Sequence, residues 1–131
     1  MHTTHSQNLS DHLWKNRVLL VVSKTLDNSL YLGQIKELKN HEQGLKERKL
    51  IAYHITPAKF KKGLENNNWE LSKSLYKTYN KSNTEYKIIL IGLDGGIKHQ
   101  QNEVLSCSDL FSIIDGMPMR QQEIGQNKKS N

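Results

Sequence analysis

The chain is poor in the residues that most often announce chemistry. Cys107 is the single cysteine in 131 residues, so no internal disulfide and no Cys-x-x-Cys pair can form. No run approaches the ~18–20 apolar residues that a membrane-spanning helix needs. The first twelve residues are polar and hold no apolar core of a signal peptide. A mature exported protein whose leader had been removed would look the same, so a periplasmic or secreted location and a cytoplasmic one both stay open. Arginine is scarce as well. Only Arg17, Arg48 and Arg120 stand among 19 basic residues, and arginine in a lysine-rich chain suits tasks such as bidentate pairing with a carboxylate or another planar anion.

What is present suffices for one domain. A chain of this length buries roughly 65% of its unfolded surface and folds without covalent staples. The net charge of +6 makes an acidic partner conceivable, although charge balance speaks first to solubility.

Residues 1–9 read as a flexible polar arm, residues 10–121 as the domain, and residues 122–131 as a disordered polar tail. Ser10 is placed to cap a short turn that delivers Leu13 and Trp14 to the core. Arg17–Val22 is a continuous apolar, β-branched run, as expected for a strand covered on both faces. The cluster Asp27-Asn28-Ser29 caps a helix carrying Tyr31, Ile35 and Leu38, with Gly44 as its stop. Lys49–Ile55 is a second strand, and the helical connection between the two has the length of a right-handed parallel crossover.

Ala58–Asn68 reads as a long loop with one helical turn at Phe60–Leu64. Asn68 then caps a helix through Leu71, Leu75 and Tyr79. Tyr86–Gly92 is a third strand, joined by a turn at Asp94, Gly95 and Gly96 to a fourth at Ile97–His99. Ser106 and Asp109 form a capping pair before a last helix with Leu110, Phe111, Ile113 and Ile114, which Gly116 and Pro118 end.

The order β-α-β-α-β-β-α is that of an α/β, thioredoxin-like three-layer sandwich around a central mixed four-stranded sheet. In that fold the loop after the first strand commonly carries the redox cysteine. Here it reads Ser23-Lys24-Thr25-Leu26-Asp27-Asn28-Ser29, without a thiol.

A family resemblance points the same way. The segments Leu13–Leu20 and Gly44–Leu50, with Gln34 between them, and the later segments Ile91–Lys98 and Ile114–Glu123 resemble a bacterial domain-of-unknown-function family related to the P-DUDES domain. That domain also occurs in vertebrate extracellular proteins of the equarin and sushi-repeat types. The resemblance spans residues 10–124 and is most specific in its final segment. It implies a thioredoxin-like, peroxiredoxin-related fold whose members mostly lack the redox motif. The chain departs from the family at Leu93, where many members carry a lysine. The proline that usually precedes the third strand in this fold is also replaced, by Thr84-Glu85.

Four kinds of chemistry can be weighed from the residues. Cys107 sits in the first turn of the last helix, where a thiol can be acidified; the plainer reading is a small residue packed against the sheet. The six histidines, His2, His5, His12, His41, His54 and His99, show no metal-ligand spacing, so neither a metal nor a cofactor is expected. Lys59, Lys61 and Lys62 around Phe60, with Trp69 beyond, form the one local candidate for nucleic acid, and a solvated lysine surface is the better reading. Arg17, Arg48, Asp115 and Arg120, with Gln34 and Glu123, form either a clamp on the C-terminal segment or a site for an unidentified protein or small anionic ligand.

The expectation is a non-catalytic binding or interaction domain. A thiol oxidoreductase or peroxidase working through Cys107 or through the Ser23–Thr25 loop, and a basic nucleic-acid binder, stay open as alternatives. The sequence leaves the oligomeric state undetermined.

Overall fold

The computed structural model describes residues 9–65 and 67–129, with side chains to residue 125; most of the N-terminal arm expected at residues 1–9, including His2 and His5, lies outside the described residues. A 3₁₀ turn at Leu9–His12 leads into β1 (Arg17–Ser23), α1 (Ser29–Lys39), α2 (Glu42–Glu47) and β2 (Leu50–Ile55). Then follow β3 (Lys59–Lys62), β4 (Glu70–Leu71), α3 (Ser74–Tyr79), β5 (Tyr86–Ile91), β6 (Ile97–Gln101), α4 (Cys107–Asp115) and α5 (Pro118–Lys129). One six-stranded sheet runs β4-β3-β2-β1-β5-β6. β1 pairs with β2 in parallel and with β5 antiparallel, and β6 returns antiparallel on β5.

The alternation of β1 explains the layering. Leu19 and Val21 enter one core with residues of α1, α2 and α4, while Val18, Leu20 and Val22 enter a second core with Leu75 and Tyr76 of α3. Both faces of the strand are therefore dry, which is why its sequence is an unbroken apolar run. The strands β2-β1-β5-β6 are the expected mixed four-stranded sheet, with β6 at one edge; β3 and β4 widen it on the β2 side.

Six local expectations give way to the structure. The segment expected to be a loop with a helical turn at Phe60 is strand β3, because Phe60 fills the second core and its backbone pairs with Ile55. Leu71 lies in β4 and is exposed, so the helix begins only at Ser74. Leu13 and Trp14 are exposed; His12 takes the inside position by bonding Tyr53 Oη through Nε2 at 2.7 Å.

Gly44 ends no helix but lies within α2, where a Cβ would come within 2.6 Å of the Phe111 ring. The tail read as disordered from residue 122 is helical through Lys129, and Pro118 begins that helix rather than ending the previous one. Proline suits a first helical position, where its missing N–H costs nothing and its φ is already set.

Candidate functional site

The parallel register Arg17↔Leu50 puts the starts of β1 and β2 side by side. Arg48, the C-cap residue of α2, lies two residues before the start of β2, and Gly116 turns the chain from α4 into α5 above the same end of the sheet. Arg48 donates from Nε to Asp115 Oδ1 at 3.0 Å and from Nη2 to Oδ2 at 2.8 Å. Arg120 Nε shares Oδ1 at 3.0 Å, and Arg120 Nη1 reaches the Glu47 carbonyl at 3.2 Å. The Arg48 hydrogen bonds, with those of Arg120 in support, hold the Asp115 carboxyl below the usual carboxylate range. The Arg48 guanidinium also lies over the Phe111 ring at 4.0 Å.

Glu123, one turn into α5, is the second anchor. Its carboxylate meets Arg17 Nη1 at 3.4 Å, Arg120 Nη1 at 3.3 Å and Lys49 Nζ at 3.8 Å. Arg17 Nη1 also donates to the Arg48 carbonyl at 2.8 Å. Arg17 is 1% exposed, yet its Nε and Nη2 have no hydrogen-bond partner among the described residues. The residues at positions 17, 48, 115, 120 and 123 thus come together in one network.

Gln34 does not join them. It lies on α1, with Oε1 accepting from Leu105 N at 2.7 Å and Tyr86 Oη at 2.8 Å and Nε2 donating to Leu105 O at 2.9 Å. It fastens the loop before α4 to the sheet. Asp94, Gly95 and Gly96 form the β5–β6 turn, with Asp94 Oδ1 accepting from Gly96 N at 2.9 Å. Gly95 has φ +83°, and a Cβ there would strike Leu13, so glycine is required twice over.

Cys107 is fully buried, in the core between α1, α4 and the sheet. Burial, aided by the Glu37 carboxylate, pushes its thiol up to about 11. Its backbone N–H donates to Glu37 Oε2 at 2.8 Å. The structure also shows what spacing concealed: Glu37, His41 and Cys107 present ligand-type atoms within 4.8 Å of one another. Those groups already have partners, since His41 Nδ1 is bonded to Glu37 O at 2.9 Å and the carboxylate caps α4.

The loop after β1 is closed upon itself. Ser23 Oγ donates to the Thr25 carbonyl at 2.6 Å, and Asn28 Oδ1 accepts from the N–H groups of Leu30 and Tyr31. Of the lysine-rich candidate, Phe60 is buried and unavailable for stacking, and the Trp69 ring is covered by Lys59 at 4.6 Å and Lys61 at 5.1 Å. His54 has a buried hydrogen-bonded setting that the sequence did not reveal. It is buried between Tyr31 Oη at 2.7 Å and the Gly63 carbonyl at 2.9 Å, and burial with Lys61 nearby lowers its pKa to about 4. Among the described residues, no helix is long and apolar enough to cross a membrane.

Solved structures share this architecture. The chain is similar to the reduced 2-Cys peroxiredoxin of Plasmodium vivax, at 17% identity and a TM-score of 0.61 over 88% of this chain and 85% of that one. It is equally similar to thioredoxin peroxidase I of Plasmodium yoelii, at 18% identity and a TM-score of 0.61 over 87% and 79% of the two chains. At such identities the likeness establishes the thioredoxin-like fold alone. No curated protein sequence matches the chain. A family model described as a domain of unknown function, DUF4174, matches residues 8–123, a span that takes in both strand starts, the Arg48–Asp115 pair and Glu123. The chain belongs to the DUF4174 family.

Proposed function

We propose that this chain is a non-catalytic binding domain on a thioredoxin-like scaffold, with its working surface at the β1/β2 end of the sheet. The observation that carries this reading is the state of the one thiol. Cys107 is buried and its thiol is raised to about 11, whereas thiol chemistry needs an accessible thiolate. The loop after β1 offers no substitute, since Ser23 is buried and spends its O–H on the Thr25 carbonyl. The arginine network supports two roles at once. Arg48, Asp115, Arg120 and Glu123 clamp the α4–α5 elbow, and Arg17 is left with donors to spare.

The finer kinship with the P-DUDES domain, and through it with equarin and sushi-repeat type proteins, rests on the segments Leu13–Leu20 and Ile114–Glu123. It favours a bacterial protein that works by binding outside the cytoplasm. The experiment that tests the reading is peroxide consumption with a dithiol reductant, using the wild type and Cys107→Ser. Both should match the buffer rate. Turnover by the wild type that disappears in the variant would establish a thiol peroxidase instead.

A further inference from the structure

Arg17 is the largest fully buried side chain of the described residues, and only one end of its guanidinium is used. Nη1 serves the Arg48 carbonyl and Glu123; Nε and Nη2 meet no acceptor among the described residues. Such donors are costly to leave unpaired, the more so on a charged group. Nε–H and Nη2–H point in parallel along one edge of the plane. This is the edge with which Arg48 takes both oxygens of Asp115, so the chain itself shows which ligand geometry suits it.

Arg17 also forms part of the wall of a pocket of about 360 Å³. Neither Arg48 nor Glu123, the partners of Nη1, contributes to that wall. Among the described residues, the Nε/Nη2 edge alone of the guanidinium is left without a partner for a ligand in that pocket, and both atoms are buried. The remaining wall is largely apolar, from Leu93, Met117, Pro118 and Met119. Asp94 also lines it, but its carboxylate is neutralised by Lys98 Nζ at 3.0 Å. The N-terminus of α5 opens onto the pocket at Pro118, and its first turn carries no acidic side chain, so the positive end of the helix is uncompensated there.

The charges behind the wall add to this. Arg17, Arg48, Lys49 and Arg120 face three carboxylates, those of Glu47, Asp115 and Glu123. One positive charge is left over.

We infer that this pocket binds a small monocarboxylate with an apolar body, its two oxygens on Arg17 Nε and Nη2 and its hydrocarbon against Leu93, Met117 and Met119. The inference rests on the binding-domain reading and gives it a ligand class. A planar monoanion matches the fork and the single surplus charge, and the unbranched methionines adapt to an apolar body. Arg48 is closed by Asp115 and does not compete.

The probe is hexanoate, titrated into the full-length protein while the Arg Nε–H resonances are followed by NMR, with hexanamide and sodium chloride as controls. Arg17 Nε–H should move saturably with hexanoate and stay in place with hexanamide. Met119→Trp, which fills the pocket and leaves the arginine intact, should raise the Kd at least tenfold. Arg17→Lys, which keeps the charge but loses the fork, should do the same. An unmoved Arg17 resonance would overturn the inference, and so would an equal response to chloride. Peroxide turnover measured on the same sample separates the failures: turnover removes the binding-domain reading, whereas no turnover and no hexanoate binding removes only the ligand class.

Discussion

Arg48 grips Asp115 with two parallel hydrogen bonds of 3.0 and 2.8 Å across 67 positions of sequence. The pair joins the end of α2 to the end of α4, and Arg120 doubles back from α5 to share the same carboxylate. Paired guanidinium and carboxylate groups that are only half-exposed contribute more than an open surface ion pair, whose usual worth is below ~1 kcal/mol.

Removing this anchor should loosen the elbow. Asp115→Asn leaves Arg48 and Arg120 without their shared anion and should cost about 2 kcal/mol. Arg120→Ala should lower the melting temperature in the same direction. Calorimetric melting of the two variants checks this; unchanged melting temperatures would mean that the network does not clamp the segment.

Gln34 should be nearly as intolerant as a core leucine. Gln34→Leu keeps the volume but strands the Leu105 N–H and C=O and the Tyr86 hydroxyl, a loss of about 3 kcal/mol. Urea unfolding measures it, and a neutral result would show that this buried amide is replaceable.

Stability should fall in mild acid because of His54. Its folded pKa, about 4, lies below the ordinary value of 6.5 because burial disfavours the imidazolium, with Lys61 and Lys39 opposing it further. The unfolded chain therefore binds the proton first, so the contribution is complete above about pH 6.5 and is lost as the pH falls towards 4. The full loss is on the order of 3 kcal/mol. Asp115, whose carboxyl is held low by Arg48 and Arg120, adds a second loss below the usual carboxylate range. Urea midpoints across this interval should flatten in His54→Gln, and an equally steep profile in that variant would assign the effect elsewhere.

Cys107 should be silent towards thiol reagents in the native state. Near neutral pH the thiol stays protonated and enclosed, so labelling should follow global opening and accelerate only with denaturant. Fast stoichiometric labelling without denaturant would contradict its burial.

Much of the fold was legible because the inner strands announce themselves. The runs at Val18–Val22 and Ile88–Ile91 are apolar on both faces, and the turn at Asp94–Gly96 leaves little choice of partner. The outer elements carry weaker signals. Phe60 is the one buried residue of β3 and sits between lysines, so no alternation reveals that strand. α5 is held by Arg120 and Glu123 rather than by an apolar stripe, so its Gln-rich sequence reads as tail. Arg17, Arg48, Asp115, Arg120 and Glu123 could be grouped from residue type and strand starts. Gln34 instead serves Leu105 and Tyr86, a placement hidden in the sequence because nothing in one dimension shows which end of a helix meets which loop. Glu37, His41, Cys107 and His54 meet partners only through tertiary packing.

The most direct measurement is the melting temperature of the wild-type protein with and without hexanoate. If Arg17 and its pocket are the working site, hexanoate at tenfold excess over Kd should raise the melting temperature by about 4 °C, and hexanamide should not. The rise should shrink to about 1 °C or less in Met119→Trp. A melting temperature unmoved by hexanoate at any concentration would contradict the account.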